Sequence, residues 1–278
     1  MTYDKKVARA DIIQKLVETL HPLDYVVALW EGGAPGFNRT DEWSDIDLYV
    51  VVDDETVVQA FEAVELALKS LSPIQEKYEV KHTGWPGVSQ AFYRLQNASE
   101  YLVIDLAVLT LSSPEKFLEP KTHGRATFYF NKDNRVTLPS LDEDALLERL
   151  SHKLDRLRGR FDMFHNFVQK EINRGNYLEA VDIYHTLLAT LVETLRIAHH
   201  PVHHEFRMRY VHYELPDDTI KRLRHLYFVA DEQDLQSKYR ETVAWFYELI
   251  PQIRRDDLER LVRQPQHLES PTDRRPRD

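Results

Sequence analysis

Cysteine is absent from the 278 residues, which excludes a disulfide framework and a thiolate zinc site and fits a reducing compartment. Long apolar runs are absent too. No stretch approaches the roughly 20 residues of a membrane span, and the segment from Met1 to Asp11 is charged and lacks the apolar core of a signal peptide. Cytoplasm is therefore the expected location, with no membrane partner. An excess of basic charge is also missing: 36 Lys and Arg against 46 Asp and Glu leave a formal net charge of −10. Attraction to a nucleic-acid backbone is not expected, whereas a cationic small molecule would be welcome. No internal repeat is present. What is there suffices for a sizeable core, with 42% hydrophobic and 11% aromatic residues, and the length allows one large domain or two ordinary ones.

Hydrophobic spacing predicts a helix from Lys5 to Leu20, with Pro22 beyond its end. Tyr25 to Trp30 reads as a strand running into Gly32-Gly33, and Tyr49 to Val52 as the body of a second strand. Glu55 to Leu71 follows as a helix closed by Ser72-Pro73, its start capped by Asp53-Asp54-Glu55. Tyr78 to His82 is strand-like, and Thr83-Gly84-Trp85-Pro86-Gly87 signals a turn. Gln90 to Leu95 and Tyr101 to Leu109 read as a hairpin. Ser112 to Ser140 is irregular, with one short strand at Thr127 to Phe130. The pattern then becomes helical throughout: Asp142 to Ile172, Tyr177 to Ala198, Asp217 to Val229 and Asp231 to Leu249. A tail from Gln264, rich in Pro, Arg and Asp, is expected to be disordered. The fold class is thus α+β, a mixed-sheet half with helices over 1–139 followed by an all-α helical bundle over 140–263, with the tail at 264–278.

The chemistry concentrates between Trp30 and Val52. Residues two apart in a strand share a face, so Asp45 and Asp47 project together while Ile46 and Leu48 enter the core. Carboxylates held side by side repel, a cost that a divalent cation offsets, and hard oxygen ligands select magnesium or manganese. Asp105 is the only charge inside Tyr101 to Leu109. A buried carboxylate needs a partner or a cation, which makes it the natural third member of the set.

A strand, a Gly-Gly turn, a loop, Asp-x-Asp on the next strand and a lone Asp on a later one resemble the nucleotidyltransferase superfamily that includes DNA polymerase β. A compact catalytic half followed by a helical bundle is similar to the aminoglycoside nucleotidyltransferases. The resemblance implies a small mixed-sheet nucleotidyltransferase domain. Asp45 and Asp47 would be ligands for two Mg2+ ions, with Mn2+ as an alternative, and Asp105 a ligand for one of them and a candidate base. Glu179 and Glu193 are further candidates for the base. Gly32, Gly33 and Ser44 would bind the nucleotide, with Arg196 and Arg209 facing the cleft from the helical half. The partners implied are a nucleoside triphosphate, ATP first, and a small cationic, aminoglycoside-like acceptor whose hydroxyl receives AMP. The chain departs from the family pattern where a serine follows the first glycine: Gly33 stands there, and one hydrogen bond of about 1 kcal/mol is lost.

The bare residues also support this chemistry. An acceptor oxygen attacks the α-phosphorus and pyrophosphate leaves, so charge must be stabilised at both ends, which two metals bridged by carboxylates achieve. A protein-modifying transferase of a toxin–antitoxin pair and a nucleotide-binding regulator without catalysis remain alternatives. His199, His200, His203 and His204 read either as an exposed helix C-terminus or as transition-metal ligands. Trp30 and Trp43 either stack on a base or pack in the core.

Overall fold

The computed structural model describes residues 6–264. The chain forms two compact units that divide between Ser140 and Leu141. The α+β class expected from the sequence is the one adopted.

In the first unit, α1 (Arg9–Leu20) buries Ile12, Leu16 and Leu20 on one face, the four-residue repeat that an amphipathic helix requires. β1 (Val26–Glu31) and β2 (Ile46–Val52) follow, then α2 (Val57–Leu71), β3 (Ile74–Val80), β4 (Val88–Leu95), β5 (Ile104–Thr110), the single-turn α3 (Pro120–His123) and β6 (Thr127–Asn131). The six strands form one sheet in the order β3-β4-β5-β2-β1-β6. Neighbours are antiparallel except β2 and β5, which run parallel.

The alternation of side chains on β2 and β5 explains the layering. Ile46, Leu48, Val50 and Val52, with Ile104, Leu106 and Val108, pack with Ile12, Leu16, Val64 and Leu68 of the two helices. Val51, Ala107 and Leu109 point the other way, into a smaller cluster with Trp30, Leu118 and Val136. All six residues of β1 are buried because this strand is covered on both faces. β3 is an exposed edge strand that carries Glu76, Lys77 and Glu79, charges that discourage further pairing.

The second unit comprises α4 (Glu143–Phe164), α5 (Asn166–Arg174), α6 (Tyr177–His199), α7 (Val211–Glu214), α8 (Asp217–Tyr227), α9 (Glu232–Leu249) and α10 (Arg255–Arg263). α6 is the core helix: Ala180, Tyr184, Leu188, Leu191 and Leu195 pack against Phe161, Leu226, Leu235 and Phe246. α10 lies on α4 through Leu258 and Val262, which meet Leu146, Leu147 and Leu150.

Several elements differ from the sequence expectation. The stretch Asp142 to Ile172 is divided at His165, where the Val168 N–H bonds the His165 carbonyl in a tighter three-residue turn and the His165 ring bonds the Tyr239 hydroxyl at 3.0 Å. α10 has no counterpart in the expectation, because Leu258 and Val262 are its only buried residues in an otherwise charged segment. β3 starts at Ile74 and β5 at Ile104. The expected helix start at Lys5 and the tail residues 265–278 lie outside the described residues. No helix among the described residues is long and apolar enough to cross a membrane.

Candidate active site

The hairpin from β1 to β2 builds one wall of the site. The Gly32 N–H donates to the Asp47 carbonyl at 3.0 Å, closing the ladder. Gly33 then takes φ +62°, ψ −138°, a conformation that L side chains avoid. A Cβ at Gly33 would lie 1.8 Å from Asp47 Oδ2, so the space above this glycine belongs to the aspartate. The missing serine therefore has a local cause: no side chain fits at 33 while Asp47 keeps this position. A single 3-10 turn, Ala34–Phe37, follows and is tied by the Arg125 N–H to the Gly36 carbonyl at 2.8 Å.

The aspartates sit where β2 and β5 run side by side. Asp47 is directly opposite Asp105 in the parallel register, and both share the face of Tyr49, Val51, Ala107 and Leu109, away from α1 and α2. Asp45 precedes β2, is exposed, and accepts the Val103 N–H at 3.3 Å. Gln90 on β4 donates to Asp105 Oδ1 at 2.7 Å. Burial raises the Asp105 carboxyl to about 6, with Asp47 and Asp45 pushing the same way and the Gln90 hydrogen bond opposing them. Oxygen donors on a common face, with their charges in mutual repulsion, are what a hard divalent cation fits.

A cavity of about 190 Å³ opens beside this pair, lined by Asp47, Tyr49, Trp85, Gln90, Asp105 and Phe117 among others. Its aromatic wall is continuous: Phe117 meets Trp85 edge-on at 5.5 Å and Tyr49 at 5.7 Å. Phe117 holds φ +54°, an uncommon backbone for a bulky residue.

Behind the aspartates lies a polar network that the sequence does not reveal. Arg9 Nη1 donates to the carbonyls of Ser44, at 3.1 Å, and Asp45, at 2.5 Å. Its Nη2 donates to Glu31 Oε1, and Glu31 Oε2 accepts the Tyr129 hydroxyl at 2.6 Å. Glu31 is buried, and burial with this hydrogen bond raises the Tyr129 hydroxyl well above the ordinary phenol range. Glu31, the one charged residue of β1, is the sequence signal for such a network.

Other expected site residues are placed differently. Ser44 does not offer its hydroxyl to a ligand: Oγ donates to Asp41 Oδ1 at 2.8 Å and accepts the Asp41 N–H at 2.9 Å, closing a turn. Trp30 is buried and stacked on Tyr49 at 5.4 Å, while Trp43 is 60% exposed and meets Tyr101 edge-on. Arg196 is fully buried in the helical unit. Its Nε donates to the Arg207 carbonyl at 2.6 Å, Nη2 to the Arg209 carbonyl, and Nη1 to Glu214. A guanidinium so engaged does not face a cleft, and this corrects the expectation for Arg196. Arg209 is exposed, with its guanidinium 4.3 Å from the Phe206 ring centre. Glu193 pairs with Lys153 at 2.5 Å, and Glu179 is exposed in the first turn of α6.

The histidines are not an exposed helix end. His203 is buried, and burial lowers His199 and His204 below the ordinary imidazole range. His200, His203 and Glu214 bring donor atoms within 4.8 Å of one another. Glu214, however, already balances Arg196 and accepts a hydrogen bond from His203 Nδ1 at 3.0 Å. A divalent cation added beside that guanidinium would leave uncompensated positive charge in a dry interior, so these side chains form a structural network.

No protein-family model matches the chain, and no curated protein matches it significantly. Among solved structures the chain is similar to an aminoglycoside 6-adenyltransferase from Bacillus subtilis, with 11% identity over 92% of this chain and 96% of that one, at a TM-score of 0.34. It is similar to the same degree, 11% identity and TM-score 0.34, to spectinomycin adenyltransferase AAD(9) from Enterococcus faecialis with ATP and spectinomycin, over 92% of this chain and 100% of that one. Likeness at this level carries no weight for the chemistry, which rests on the side chains described above.

Proposed function

We propose that the chain is a magnesium-dependent nucleotidyltransferase that moves AMP from ATP to a hydroxyl of a small cationic acceptor. The observation that carries this reading is the pairing of Asp47 with Asp105 in register on one sheet face, beside a glycine whose Cβ position the Asp47 carboxylate occupies. Asp45, Asp47 and Asp105 would hold magnesium, which supplies charge stabilisation for the phosphates and acidifies the acceptor hydroxyl.

The chain's own groups account for the rest. The acceptor oxygen forms a bond to the α-phosphorus, the bond from that phosphorus to the bridging oxygen breaks, and pyrophosphate departs with the electron pair. The acceptor proton goes to the Asp105 carboxylate. Gln90 fixes the Asp105 carboxylate by one hydrogen bond. Gly32 and Gly33 let the backbone approach the triphosphate without side chains in the way. The aromatic wall of Trp85, Phe117 and Tyr49 suits a protonated amine through ring-face attraction. The net charge of −10 favours the same class of acceptor.

Calorimetry of ATP, GTP, CTP and UTP with and without magnesium, on the wild type and on Asp47→Asn, tests the reading. Magnesium-dependent binding that the variant loses is the expected result, followed by pyrophosphate release with a panel of amine-bearing acceptors. Absence of binding for every triphosphate would sink it.

A further inference from the structure

Arg9 reaches from the first turn of α1 to both ends of the loop over residues 32–45. One nitrogen meets the Ser44 and Asp45 carbonyls, where the aspartate strand begins. The other meets Glu31, the last residue before the glycines. Glu31 in turn is fixed by Tyr129 from β6 on the far side of β1. The two guanidinium nitrogens divide these acceptors between them in a planar fork that a lysine does not reproduce. The geometry points to Arg9 as the positioning residue of the aspartate site, clamping the entry of β2 against the end of β1 so that Asp45 and Asp47 meet Asp105 in a fixed frame. This rests on the nucleotidyltransferase reading for its purpose, though not for its geometry.

The clamp has chemical logic. Two carbonyls and a carboxylate converge on one cation, so the loop closes without a metal and the aspartates are arranged before one arrives. Arg9 touches the main chain of Asp45 and leaves its carboxylate to other partners. Groups that orient ligating carboxylates from behind in this way commonly set metal affinity by factors of about 10–100.

The test uses three variants of the full chain. Arg9→Met keeps the apolar stem and removes the fork. Arg9→Lys keeps the charge. Arg9→Met with Glu31→Gln removes both charges, so that no buried carboxylate is left unpaired. Two quantities are measured on each: amide hydrogen exchange at Ser44 and Ile46, whose N–H groups bond the Asp41 and Val103 carbonyls, and the magnesium concentration that half-saturates ATP binding. Arg9→Met is expected to speed exchange at these amides and to raise the magnesium midpoint about tenfold or more. Arg9→Lys is expected to fall between it and the wild type. The double variant is expected to regain the wild-type melting temperature without regaining the midpoint, which a merely structural role would restore together. Folded variants with unchanged exchange, or with faster exchange and an unchanged midpoint, overturn the inference. A wild type that binds no nucleotide overturns the functional reading instead, and the exchange rates alone then decide whether Arg9 holds the loop.

Discussion

Asp47 and Asp105 stand directly opposite each other on the one parallel strand pair of the sheet. Nothing in the ladder requires this: a one-residue slip would send one carboxylate into the apolar layer with Ile46 and Leu106. The register is set by Val50 and Val52 against Val108, which pack on the helices. The chain thus spends core packing to hold two like charges together. Replacing either aspartate by asparagine should reduce AMP transfer by about 10²- to 10³-fold or more, measured as pyrophosphate release.

Burial of Asp105, with the repulsion from Asp47 and Asp45 added, makes stability depend on pH. Asp105 titrates near 6 in the folded protein, above its ordinary 3.8. A raised acid binds its proton more tightly in the folded state, so its contribution is fully present below the unfolded value and is lost as pH rises through the folded one. Between pH 4 and pH 7 this amounts to about 3 kcal/mol at most. Asp105→Asn should therefore match the wild type near pH 4 and exceed it in stability at pH 7. Urea melts at both pH values decide it, and magnesium should stabilise the wild type more at pH 7 than at pH 4.

Gly33 gives a second expectation. Gly33→Ala and Gly33→Ser both place a Cβ against Asp47 Oδ2 and force φ +62° on an L residue. Each should cost about 1–3 kcal/mol and displace the Asp47 carboxylate. Thermal melts and calorimetry with Mg·ATP check both effects. A Gly33→Ser protein that binds ATP better than wild type would show that the hydroxyl matters more than the room it takes.

Trp85 is half exposed on the rim of the aromatic cavity. Trp85→Ala should leave Mg·ATP binding unchanged and raise KM for an amine acceptor about tenfold, the loss of one ring-face contact to a cation. Equal effects on both substrates would mean that the wall serves the nucleotide.

The candidate aspartates were visible in the chain because strand periodicity is local. Asp45-x-Asp47 and the lone Asp105 announce a shared face through their spacing and their isolation among apolar residues. The register that brings Asp105 opposite Asp47 was not legible, since it depends on β5 inserting beside β2 with β3 and β4 outside it. Arg9 was hidden for the same reason: a basic residue at a helix start is ordinary until the fold carries it to Glu31. Ser44 and Arg196 misled because residue type was read without burial. Each has its polar atoms engaged by neighbours that lie in turns, where periodicity says nothing.

Arg196 is half of a buried ion pair in the helical unit. Its carboxylate partner Glu214 has a buried side chain, so Arg196→Met leaves a negative charge in the interior of the helical unit. Breaking a buried pair in this way costs about 3–5 kcal/mol, and a large fall in melting temperature is expected. Combining it with Glu214→Gln should recover part of the loss, because the orphaned charge is gone while the Arg207 and Arg209 carbonyls stay unpaired. If Arg196 instead served the triphosphate, the single variant would melt like the wild type and lose only nucleotide binding. Melting temperature and Mg·ATP affinity measured on the same two variants separate these outcomes.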